Sequence, residues 1–247
     1  MWWRLQRERR KCGKSAADEF DIAGNVERVV AGGVWAPPGR NNVMGSGLKT
    51  FLYAVVAGLC IAVGGTVFLS IENKIIGALF FTVALFTICT FGLNLYTGKV
   101  CYLFENDRKY ALNVLIIWLG NLVGTWASSM LIGATRIAGI AEKAAALCEV
   151  KFNDSLVSIF ILAIFCNFLI FIGVDGYKNN PHEVGKYLAL FFGVMVFILC
   201  GFEHCVANMF YISMAGMWSG KAVVFLIVNT LGNAVGGWIV PLLRKVK

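Results

Sequence analysis

Charge is scarce in this chain: Asp, Glu, Lys and Arg make up 15% of its 247 residues, whereas 58% are hydrophobic. A soluble domain carries nearer a quarter charged residues, so this deficit and a mean hydropathy of +0.72 exclude an ordinary water-soluble domain. Lipid is the expected solvent. Histidine is scarcer still, with two residues, and His182 lies in the polar stretch NNPHEV. A pair of intramembrane histidines that could ligate haem is therefore missing, as is the HExxH of zinc proteases. The eight cysteines form no CxxC pair and no Cys/His cluster with zinc spacing, which leaves them as small apolar packing residues. No Ser/His/Asp or Cys/His constellation is legible, and the expectation is a protein that is not an enzyme and holds no metal or cofactor.

What the chain has instead is long apolar runs, at 49–71, 75–104, 110–133, 154–174, 186–212 and 222–243. Each approaches or exceeds the roughly 20 residues needed to cross about 30 Å of hydrocarbon. Six spans are the simplest count. The net charge of +8 sits at span ends rather than on an aromatic-interleaved surface, which argues against nucleic acid as a partner. With both termini inside, the basic cluster from Arg4 to Lys14 joins Lys49, Lys99, Arg108, Lys109, Lys178, Lys186 and Arg244 on the cytoplasmic side. Lys74, Arg136, Lys143, Lys151 and Lys221 fall outside. The bias follows the positive-inside rule and predicts a multi-pass protein of the inner or plasma membrane with both termini cytoplasmic.

Residues 1–47 differ from the rest, opening on RLQRERRKCGK and closing on APPGRNNVMGSG, and read as a cytoplasmic tail in which 15–31 could form a surface helix. Residues 48–247 form a six-span transport domain. Within it Leu119–Trp126 reads LGNLVGTW and Leu231–Trp238 reads LGNAVGGW, each in the third span of a three-span half. The halves, about 48–133 and 154–243, must enter from opposite faces because three is odd. The result is an all-α membrane fold with an inverted 3+3 repeat.

The same correspondence aligns the second and fifth spans, which carry FGLNLYTGK and CGFEHCVAN and read as broken helices. Paired interruptions point to a midplane substrate site, because irregular backbone at that depth must be buried in protein or line a cavity. Glu203 and His204 lie at one break, and an intramembrane ionisable residue is by default a functional one. The glycines of the repeated motif, with Gly58, Gly64 and Gly65, suit close helix approach. Asn121, Asn167, Asn208 and Asn233 could bond exposed backbone at the breaks or bridge helices.

At these residues the chain resembles the formate/nitrite transporter family, which includes hydrosulfide channels and lactate-proton transporters. GFEHCVANMFYI is similar to its fifth-span signature, LNLYTGK to its broken second-span loop, and LGNLVG and LGNAVG to its third- and sixth-span glycine motifs. The lysine of VKFNDS and the asparagine of FCNFLIFIGV fit as well. The resemblance, over residues 48–245, implies an aquaporin-like six-helix bundle assembled as a homopentamer with a pore in each protomer. It implies a central pore histidine at His204, a loop threonine at Thr97, and polar pore partners at Asn167 and Asn208. It implies apolar constrictions at Phe81, Leu85 and Phe197 on one side and at Leu95, Tyr96 and Ile170 on the other. Glu203 would face away from the permeant and anchor the break, and Lys151 would stand in the external vestibule. Tyr96 departs from the phenylalanine of many relatives, and the tail does not match the family's amphipathic amino-terminal helix.

A bare anion pays heavily to cross apolar constrictions, and half-helix N-termini offset part of that cost. Protonation offsets more, because a weak acid such as formate, nitrite or hydrosulfide then crosses as a small neutral molecule. An unperturbed imidazole titrates near pH 6.5, which suits His204 to exchanging that proton. The expected partners are thus small monovalent anions, protons and the lipid bilayer. The alternative is an aquaporin-like channel for water or small neutral solutes, which the same pore residues would suit.

Overall fold

The computed structural model describes residues 47–246; the expected tail and its surface helix at 15–31 lie outside the described residues. The described chain is helical throughout. In order it forms α1 (Gly47–Ser70), α2 (Lys74–Thr90), the short α3 (Tyr96–Lys99) running into a 3-10 segment (Val100–Glu105), and α4 (Arg108–Gly133). There follow α5 (Ile140–Phe152), α6 (Leu156–Asn179), α7 (Glu183–Leu199), α8 (Cys205–Ala215) and α9 (Gly220–Lys245). Four of these, α1, α4, α6 and α9, are long and apolar enough to cross a membrane. The expected runs at 75–104 and 186–212 are each split into two helical pieces.

Local sequence sets the ends. Asn73, Asp107, Ser155 and Ser219 cap α2, α4, α6 and α9 by accepting backbone N–H bonds through their side chains. The two breaks are built alike. Gly92 (φ 63°) and Gly201 (φ 72°) take the left-handed conformation that glycine adopts without a side-chain penalty. The next residue then bonds back across the helix end, Leu93 N–H to the Ile88 carbonyl and Phe202 N–H to the Phe197 carbonyl.

Packing pairs the long helices. α1 lies against α4 and α6 against α9, and glycine makes both contacts possible. A Cβ at Gly124 would stand 2.1 Å from the Val55 carbonyl oxygen, and one at Gly236 would stand 2.0 Å from that of Ile164. The glycines of the repeated motif thus bring backbone onto backbone. α5 was not anticipated by the sequence reading. It buries a single stripe, Ile140, Ala144, Cys148 and Phe152, and packs on α8. Elsewhere large apolar side chains such as Leu52, Val56, Leu115, Val157 and Leu231 point outward. A soluble protein would bury such a surface; hydrocarbon or a neighbouring subunit accepts it.

Candidate functional site

Each break leaves backbone groups without helical partners, and one asparagine satisfies them on each side. Asn121 accepts the Tyr96 N–H (2.8 Å) and donates to the carbonyls of Ala54 (2.8 Å) and Asn94 (2.9 Å). Asn233 accepts the Cys205 N–H (2.8 Å) and donates to the carbonyls of Ala163 and Glu203, both at 2.8 Å. The correspondence is atom for atom, so Tyr96 matches Cys205, Leu95 matches His204, and Asn94 matches Glu203. A buried amide with every bond made fixes its surroundings, which holds the first turns of α3 and α8 in place.

His204 stands at the N-cap of α8. Its Nδ1 accepts the Ala207 N–H (3.0 Å), and its Nε2 lies 3.1 Å from Thr97 Oγ1 in the first turn of α3. A ring nitrogen that accepts a backbone N–H carries no hydrogen, so the ring is the neutral tautomer with its hydrogen on Nε2, donated to the threonine hydroxyl. Both residues are buried, His204 at 3% exposed and Thr97 at 0%. The imidazole stacks on Phe197 (centroids 5.6 Å apart, planes at 20°), and Phe197 meets Phe81 edge to face at 6.2 Å. The structure thus brings together His204, Thr97, Phe81 and Phe197 where the N-terminal ends of two half-helices meet.

The other expected site residues fall into three groups. Leu85 and Leu95 are fully buried, and Ile170 is buried on α6; Leu95 immediately precedes α3, against which α6 packs. The Tyr96 hydroxyl is committed, donating to the Thr230 carbonyl at 3.2 Å. Glu203, Lys151 and Asn208 form one cluster, in which Glu203 Oε2 accepts from Lys151 Nζ (2.6 Å) and from Asn208 Nδ2 (2.7 Å). The lysine reaches in from α5, and the pair is largely shielded from solvent, with side chains 16% and 6% exposed. Asn167 stands apart from His204 in its bonding: its Nδ2 donates to the Asn233 carbonyl (2.7 Å) and faces Cys101 Sγ (3.8 Å).

Some participants were not singled out in the sequence. Cys101 donates its thiol to the Thr97 carbonyl (3.1 Å), and Trp238 and Tyr110 bond the carbonyls of Val100 and Lys99. These bonds tie the arm after Thr97 to its neighbours. At the same end, Arg244 binds Asp175 through both guanidinium nitrogens (3.0 and 2.7 Å). Nothing in local spacing pairs residues 69 apart in sequence. On α5, burial pushes the Cys148 thiol up to about 11, partly opposed by the Lys151 charge, so it stays protonated.

Comparison with known proteins decides the lineage. The family described as formate/nitrite transporter matches residues 38–245. The chain belongs to that family. A formate/nitrite transporter chain of this kind is similar to an uncharacterised transporter, YrhG, of Bacillus subtilis, with 31% identity over 180 residues covering 67% of this chain and 68% of the relative. It is 26% identical to the formate channel FocB of Escherichia coli, over 69% of this chain and 67% of that protein. It is 32% identical to the formate channel BtFdhC of Bacillus thuringiensis, over 66% and 69% respectively. Among solved structures, a pentameric formate channel with formate bound superposes with a TM-score of 0.69 at 23% identity, over 82% of this chain and 98% of that one. An ion channel of the same family superposes at 0.64 with 22% identity, over 89% and 92%. Membership and the apolar helices together make this an integral membrane protein.

Proposed function

We propose that this formate/nitrite transporter homologue passes small monovalent weak-acid anions, with formate, nitrite and hydrosulfide as the candidates, and that His204 links their passage to pH. The supporting observation is the neutral His204 ring, bonded to Thr97 between two half-helix N-termini and stacked on an apolar wall. An anion reaching this point meets two positive helix ends and an imidazole N–H that can turn from Thr97 to the anion. Apolar Phe81 and Phe197 beside it penalise the charged form and pass the neutral acid.

The ring also constrains the proton step. Handing the Nε2 hydrogen to the anion leaves a neutral ring only if Nδ1 gains a proton, and Nδ1 is occupied by the Ala207 N–H. Full transfer therefore opens that cap bond, whereas donating a hydrogen bond does not. Coupling then follows a conformational step at the start of α8.

The wider arrangement completes the reading: six spans in an inverted 3+3 repeat, five protomers each with a pore, and both termini cytoplasmic in the inner or plasma membrane. Asn167 and Asn208 line the polar part of the path. Leu85, Leu95, Tyr96 and Ile170 complete the constrictions, Glu203 anchors its break, and Lys151 tempers that anchor from the vestibule. The test is uptake of formate, nitrite and hydrosulfide into proteoliposomes at several pH values, with His204→Asn beside the wild type. Flux that rises toward acid and loses that rise in the variant supports the reading. Fast water permeation with no anion flux replaces it with a neutral-solute channel.

A further inference from the structure

Asn229 is 0% exposed, and among the described residues neither atom of its amide has a hydrogen-bond partner. Most buried polar groups in folded proteins are bonded, so two unmet groups on one side chain mark something the protein binds there. The repeat sharpens the anomaly. Aligning Asn121 with Asn233 places Ile117 opposite Asn229, and Ile117 is an ordinary buried apolar residue. Packing at this position is served by an isoleucine in one half, whereas the other half carries a carboxamide.

The surroundings of Asn229 identify its neighbour. One helical turn before it, Phe225 packs edge to face on Phe152 (5.4 Å), the residue next to Lys151. One turn after it, Asn233 holds the Glu203 carbonyl at 2.8 Å. Along α9, Asn229 thus lies between a residue packed on the neighbour of Lys151 and a residue bonded to the backbone of Glu203, each about one helical turn away. The amide makes no direct bond to either. A buried water needs two to four polar partners, of which the amide supplies a donor and an acceptor.

We propose that Asn229 holds ordered water against the Lys151–Glu203 ion pair and so positions that pair from the α9 side. The water solvates a pair that is otherwise mostly cut off from solvent, and it gives Glu203 a hydrogen-bonded contact beyond Lys151 and Asn208. The consequence for transport rests on the proposed function; the water site itself does not.

A high-resolution cryo-electron microscopy map of the full-length wild-type assembly tests the site directly. Density within hydrogen-bonding distance of both Asn229 amide atoms, lost in Asn229→Leu, is expected. An amide bonded directly to protein, with no such density, overturns the proposal. For the positioning role, Asn229→Leu lowers anion flux about fivefold, the size expected for one lost water-mediated contact. Asn229→Ser, which keeps a donor and an acceptor, recovers most of that loss and matches the pH profile of the wild type. If Asn229→Leu melts higher than wild type and transports equally well while His204→Asn has lost its pH response, the positioning role falls and the proposed function stands.

Discussion

At the scale of single residues, the site depends on side chains that each make several bonds to backbone. Asn233 closes three such bonds at one break and Asn121 three at the other. Replacing either by alanine leaves buried N–H and carbonyl groups unmet, at about 1–3 kcal/mol for each group that stays dry. Asn121→Ala and Asn233→Ala should therefore each lower the melting temperature of the purified protein, and Asn→Asp should not restore it, because a carboxylate cannot donate to the two carbonyls. The Lys151–Glu203 pair behaves differently. Removing one partner strands a charge that is mostly shielded, a loss on the order of 3–5 kcal/mol for a fully buried pair and less here, since Lys151 keeps some solvent contact. Lys151→Met alone should destabilise more than Lys151→Met combined with Glu203→Gln. A double variant as unstable as the sum of the singles would show that the two charges do not depend on each other. Thiol reactivity gives a third check. Exposed Cys200 should react with a maleimide in the native protein, whereas Cys148, buried and protonated until about pH 11, should stay unlabelled at pH 8 until the protein unfolds.

At the scale of elements, the two glycine-rich contacts are the least forgiving part of the fold. A methyl at Gly124 or Gly236 collides with a carbonyl oxygen of the facing helix rather than with a flexible side chain. Gly124→Ala and Gly236→Ala should therefore cost far more than the loss of glycine entropy recovers, and should show as reduced assembly on size-exclusion chromatography. Gly139→Ala, with open space around it, should be silent. The same contacts explain what was legible in the sequence. Repetition of LGN carried the capping asparagines, and the glycine–aromatic–acid–histidine run carried the second break, because both motifs encode backbone geometry locally. α5 was illegible because its buried stripe falls every fourth residue in a short, alanine-rich segment broken by Glu142, Lys143, Glu149 and Lys151, too narrow a face to stand out as amphipathic. The Arg244–Asp175 pair, the Cys101 thiol bond and the unmet Asn229 amide were illegible for another reason: each depends on which helices become neighbours, and that is a property of the assembled bundle. Asn167 and Asn208 show the limit between the two. Their burial was foreseeable, but their separate partners, a helix carbonyl and a carboxylate, were not.

At the scale of the whole molecule, the matched halves differ in ways that bear on direction. Superposing the capping asparagines sets Asn94 opposite Glu203, Lys99 opposite Asn208, and Leu95 opposite His204. Glu203 and His204 stand in the half that Lys151 meets, and the other half presents the amide of Asn94 and the apolar side chain of Leu95 at those two places. On the proposed reading, the proton exchanged with the permeant therefore passes through His204, on one side of the centre. Under one-for-one proton coupling, a weak-acid anion follows the proton gradient. An inward gradient of one pH unit, about 1.36 kcal/mol, then sustains about tenfold accumulation of formate in proteoliposomes. The accumulation should appear faster than in protein-free vesicles, and His204→Asn should slow its approach while leaving the final ratio set by the gradient. A steady ratio near one, with rapid flux driven by membrane voltage instead, would mean that the bare anion crosses and that His204 offers a hydrogen bond without giving up a proton.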